Sequence, residues 1–139
     1  MSGALSALIT KLHATSAVTS LINATAATAR KSIRFGYYEQ KQPTPFVGLT
    51  LEGEERESAA KEWGGMLHSD VEIDVWGTSV KQVLDLKSAI ADTLHKWSDL
   101  TLTPKVTMCE VEGVTMLEKP EERLHICSIS VTITTLGTT

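Results

Sequence analysis

The chain of 139 residues is short of the features that most function classes require. It has only two cysteines, Cys109 and Cys127, and both sit inside apolar, strand-like segments, so each is expected as a buried free thiol of a protein assembled in a reducing cytoplasm. No apolar run is long enough to span a bilayer, and Met-Ser-Gly-Ala-Leu at the start lacks the basic and apolar segments of a secretory signal. Basic charge is scarce. The formal net charge is −4, against the basic face that a general nucleic-acid binder needs, and the small spot at Arg30, Lys31 and Arg34 reads as a solvated linker. His13, His68, His95 and His125 share no metal-ligand spacing with one another or with the cysteines. His125 and Cys127 project to the same strand face, but Ile129 and Val131 mark that face as core. Nucleophile elbows, phosphate-binding glycine loops and dinucleotide fingerprints are missing, and Trp63-Gly64-Gly65 is too short for a phosphate cradle. No carboxylate pair is placed in an apolar segment that would raise one pKa for acid–base work. Neither a catalytic residue, nor a metal site, nor a cofactor is expected.

What is present is a change of period. From Leu67 the chain alternates strictly: Leu67, Ser69, Val71, Ile73 and Val75 to one side, His68, Asp70, Glu72, Asp74 and Trp76 to the other. That is a strand with one dry face and one wet, acidic face. After Gly77-Thr78-Ser79 the spacing turns helical, with Val80, Val83, Leu84, Leu86, Ile90, Ala91, Leu94 and Trp97 on one broad side. Ser79 and Gln82 stand at capping-box spacing.

Other elements follow from the same rules. Leu5, Leu8, Ile9 and Leu12 predict a short helix over 3–14, and Val18, Leu21 and Ile22 one further turn. Short strands are expected over 33–38 and 46–52, joined by the rigid Gln42-Pro43-Thr44-Pro45 connector. The charged stretch 53–65, with Glu54, Glu55, Arg56, Glu57, Lys61 and Trp63, reads as a long connection between antiparallel strands and a partner-contact loop. Strands over 106–117 and 124–134 form a hairpin, with a bulge near Glu112-Gly113 and a polar turn carrying Lys119, Glu121 and Glu122. The expected fold is a single α+β domain over 1–139. It has an antiparallel sheet of about four to five strands, with the N-terminal helix and one long amphipathic helix packed on one face.

The order of these elements resembles the tail-completion proteins of long-tailed bacteriophages, also called tail terminator or tail-to-head joining proteins. The likeness is carried by the Leu- and Ala-rich N-terminal helix, Ile33-Arg34-Phe35-Gly36-Tyr37, Pro45-Phe46-Val47-Gly48-Leu49, the alternating last strand and, most of all, Val71-Glu72-Ile73-Asp74-Val75-Trp76-Gly77-Thr78-Ser79 running straight into a helix. The Ala- and Thr-rich stretch 15–31 is longer than the family pattern. The resemblance implies a structural virion subunit without catalytic residues. It implies a homo-oligomeric ring, most often a hexamer, at the head-proximal end of the tail tube, which ends tube growth and docks the neck. Its partners would be other copies of itself, the tail tube protein, a head-completion or neck protein, and DNA passing through the lumen without sequence-specific contact, with no membrane involved. In that setting Asp70, Glu72 and Asp74 are expected to face the lumen, because a DNA channel should not be basic. The 53–65 connection and the 118–122 turn are expected at the rims. Two alternatives remain open at this point: a head-closure or neck connector subunit of the same particle, and a small ligand- or peptide-binding module.

Overall fold

A computed structural model describes residues 3–22, 33–36, 45–56, 66–102, 104–119 and 124–136. Helix α1 spans Gly3–Ala14, a short α2 spans Ser16–Thr19 and runs into a 3-10 turn at Ser20–Ile22, and α3 spans Val80–Leu94. The strands are β1 (Ile33–Phe35), β2 (Phe46–Arg56), β3 (Met66–Gly77), β4 (Lys105–Lys119) and β5 (Leu124–Leu136). They form one sheet in the order β1-β2-β3-β5-β4. Among the described residues no single helix is long and apolar enough to cross a membrane.

All the helices pack on one face of this sheet. Ala4, Leu5, Leu8 and Leu12 of α1, Val18, Ile22, and Val83, Leu86, Ile90 and Leu94 of α3 share one core with Val47, Leu49, Val71, Ile73, Val75, Ile129, Val131 and Ile133. The strand alternation supplies half of that core and the helical stripe the other half. The α3 stripe is narrower than its sequence predicts. Val80 and Leu84 are exposed on its flank, because a helix on a flat sheet buries only the residues directly over it. Trp97 lies beyond the helix end and receives Lys11 over its ring.

The start of α3 is fixed by contacts that the sequence half foretells. Ser79 Oγ accepts from the Gln82 amide at 3.2 Å, as a capping residue should. Gln82 does not return the bond to Ser79. Its Oε1 accepts from the Thr78 amide at 3.0 Å, one residue earlier than in a capping box. Gly77 makes room for this: a Cβ there would lie 2.8 Å from both Gln82 Oε1 and Val83 Cγ2.

Three features of the sheet depart from expectation. First, β1 runs parallel to β2, whereas the other pairs are antiparallel. The ten-residue link between them is long enough for the chain to return and re-enter in the same direction, which a tight turn forbids. Gly36, at φ +89°, starts that departure and donates its amide to Leu49 O. Second, β2 continues through Glu54, Glu55 and Arg56, which pair with Ser69, His68 and Leu67. These three residues therefore belong to a strand and not to the expected loop. Glu54 and Glu55 point to opposite faces and both are exposed, so this stretch of the ladder tolerates charge on both faces. Third, β4 carries its ladder as far as Lys119, so Lys119 is strand and not turn. Glu57, Lys61, Trp63, Glu121 and Glu122 lie outside the described residues.

The two hairpins point in opposite directions. Arg56 and Met66 sit at the end of the sheet where β5 finishes, and Lys119 and Leu124 at the end where β3 finishes. At a rise of about 3.3 Å per residue these ends are roughly 35 Å apart.

Candidate functional site

The face of the sheet opposite the helices is the chemically distinctive part of the molecule. Alternation along β3 puts His68, Asp70, Glu72, Asp74 and Trp76 there, and the register brings neighbours from three other strands. Two zones result. At one end Phe46, Trp76, Leu124 and Ile126 form a small second core, with the Arg34 guanidinium over the Phe46 ring at 5.4 Å. Strict alternation had assigned Trp76 to a wet face. Register corrects this, because Trp76 pairs with Phe46 on one side and Ile126 on the other.

The rest of the face is acidic. Glu52 from β2, Asp70, Glu72 and Asp74 from β3, and Glu110 and Glu112 from β4 all project from it; Glu52, Asp70, Glu72 and Glu112 line a shallow depression of about 390 Å³ floored in part by Ser130. The sequence singles out only the β3 trio. Glu110 and Glu112 join it through pairing with β5 and a bulge between Val111 and Gly113, foreseen in position but not in consequence. Further bulges lie at Leu51/Gly53 and Val106/Met108.

Hydroxyls from β5 are interleaved with these carboxylates. Ser128 Oγ touches Glu72 Oε1 and also lies 2.7 Å from Asp74 Oδ1. Thr132 Oγ1 touches Glu112 Oε1 and lies 3.0 Å from Asp70 Oδ1. A hydroxyl has one proton to give, so it donates to one carboxylate at a time. Asp74 is buried, and desolvation pushes its carboxyl above the usual range, opposed by the Ser128 bond and reinforced by the charge of Glu72. Glu52 is also raised, first by sharing a hydrogen bond with Glu72 and then by repulsion from it. His68 Nδ1 lies 2.9 Å from Thr134 Oγ1 at the margin.

This arrangement is poor catalytic machinery. Its raised carboxyls face a broad, open sheet, and among the described residues no group of histidine, cysteine and carboxylate side chains could hold a metal ion. The two thiols lie in the other layer, where burial pushes Cys109 up to about 12 and raises Cys127, so both stay protonated and inert.

Among the described residues, a helix layer on one face, an acidic opposite face and strand pairs turning at both ends agree with the comparison that decides the family. The model of the tail completion protein gp17 family matches residues 6–136. The chain belongs to that family. It is a non-enzymatic structural component of phage tails. Among solved structures it is similar to a chain of the virion of a native gene transfer agent particle, with a TM-score of 0.69. That likeness covers 94% of this chain and 92% of the other at 14% identity, and it shows a shared fold. No curated protein sequence matches the chain. This tail completion protein is thus a part of a phage or phage-like virion and assembles with other virion proteins.

Proposed function

We propose that this tail completion protein closes into a ring at the head-proximal end of the tail tube, where it stops tube growth and joins the tail to the neck. The uncovered face of the sheet lines the lumen, with Asp70, Glu72, Asp74, Glu52, Glu110 and Glu112 turned towards the passing DNA. The observation that carries this reading is the one-sidedness of the charge: six carboxylates from three strands share the face that the helices leave free. A polyanion slides past such a wall without forming the phosphate contacts that would hold it, since each neutralised phosphate adds to binding.

The strand ends that border 57–65 and 120–123 lie at opposite ends of the sheet, which suits unlike partners above and below the ring. In this reading Glu57, Lys61 and Trp63 meet one neighbour, and Lys119, Glu121 and Glu122 the other.

Particles made without the protein test the position. Overlong tails or tails unjoined to heads are expected. Normal tails on heads that leak DNA would instead make it a head-closure subunit. The lumen assignment has its own test. Asp70→Lys with Glu110→Lys is expected to leave assembly intact and to slow DNA ejection in a salt-dependent way. Unchanged ejection at low salt would place this face elsewhere.

A further inference from the structure

The two edges of the sheet match each other. β1 forms one edge and β4 the other. Reading the pairings across the sheet, Ile33 lies in the row Val47, Val75, Cys127, Met116; Arg34 in the row Gly48, Asp74, Ser128, Thr115; and Phe35 in the row Leu49, Ile73, Ile129, Val114. The three residues of β1 therefore stand level with Met116, Thr115 and Val114 at the far edge. Side-chain parity agrees as well: Ile33, Phe35, Val114 and Met116 share the helix side, and Arg34 and Thr115 the acidic side.

Among the described residues, no hydrogen bond covers the outer edge of β4 over 112–116. Lower down, the link from α3 covers it. Asp99 pairs with Val106, the Lys96 amide donates to Cys109 O, and the Val111 amide to His95 Nδ1. Residues 112–116 are all exposed, including Val114 at 43% and Met116 at 42%, which are large apolar side chains on a strand edge.

We infer that the 112–116 edge of β4 receives the β1 edge of the next copy, so that the sheet runs on from subunit to subunit. This inference rests on the ring reading above. β1 and β4 point in opposite directions within one copy, so copies related by rotation about an axis along the strands meet there as an antiparallel pair. The contact is head-to-tail, the kind that closes rings. It sets Val114 beside the half-buried Phe35 of the neighbour and brings the neighbour's Arg34 towards Glu112, while Ile33 stays buried in its own core with its carbonyl on His13 Nε2. Every acidic face then points the same way around the ring.

The test is Arg34→Cys with Thr115→Cys in one chain. Within a copy the two sites are four strand spacings apart, roughly 19 Å, beyond disulfide reach, and the native thiols are buried. Mild oxidation of assembled particles is expected to give a ladder of oligomers on a non-reducing gel, and each single variant none. Rings that remain visible while the double variant stays uncrosslinked would overturn this contact and leave the ring reading standing. Dimers from Thr115→Cys alone, or a crosslink from it to a different protein, would overturn it too. Absence of rings from wild-type particles would remove both readings. As a second arm, Val114→Lys with Met116→Lys is expected to stay folded by circular dichroism but to lower self-association at least tenfold. Unchanged association would count against the inference.

Discussion

The two faces of the sheet obey opposite rules. On the helix side every buried position among the described residues is apolar or a neutral thiol or hydroxyl, and its geometry follows from packing. On the other side six carboxylates crowd together with two hydroxyls to divide among four of them, and this arrangement works against the fold. The contrast separates what keeps the protein folded from what it keeps for use. A sheet face that costs stability and offers no catalytic geometry is retained for the surface it presents.

The largest effect should come from the helix side. Ile90 is fully buried beneath the centre of α3, and Ile90→Ala should cost about 2–5 kcal/mol in denaturant unfolding, through lost transfer energy and a cavity. A loss under 1 kcal/mol would mean that α3 is not the lid of this core. Next comes the seam of β1. A Cβ on Gly48 would lie 2.2 Å from Gly36 O, so Gly48→Ala should displace β1 and cost ~1–3 kcal/mol, with the Gly36 amide losing protection from hydrogen exchange. Ser79→Ala removes the cap of α3 and should cost about 1 kcal/mol.

The acidic face should respond with the opposite sign. The Asp74 carboxyl holds its proton more tightly folded than unfolded, so folding takes up a proton over that range. The stability linked to it is complete below the ordinary carboxylate pKa and lost as pH rises through the folded value. Asp74→Asn should therefore raise the melting temperature by a few degrees at pH 7 and flatten the decline expected of the wild type as pH rises from about 4. A variant less stable than wild type at neutral pH would show that the face supports the fold after all. Smallest of all is the free edge: Val114→Lys should shift monomer stability by no more than about 0.5 kcal/mol, since it is already wet.

Local pattern made one side of this contrast legible and left the other half hidden. The β3 alternation, the α3 stripe, the Ser79 cap and the β5 alternation each lie within a dozen residues, and each is visible from spacing alone. Asp70, Glu72 and Asp74 were legible for the same reason. Glu52, Glu110 and Glu112 were not, because their membership depends on register between strands far apart in sequence and on bulges that reset parity. Trp76 misled for a related reason: alternation assigns a side, and only its cross-strand partners decide whether that side is wet. The charged end of β2 passed for a loop because a hairpin arm solvated on both faces carries no apolar period.

The raised carboxyls also make the molecule a proton reservoir. Asp74, desolvated, and Glu52, against Glu72, hold their protons more tightly than usual, so negative charge brought near this face favours proton uptake there. Calorimetry of assembly in buffers of unlike ionisation enthalpy would register that uptake as a heat that changes with the buffer.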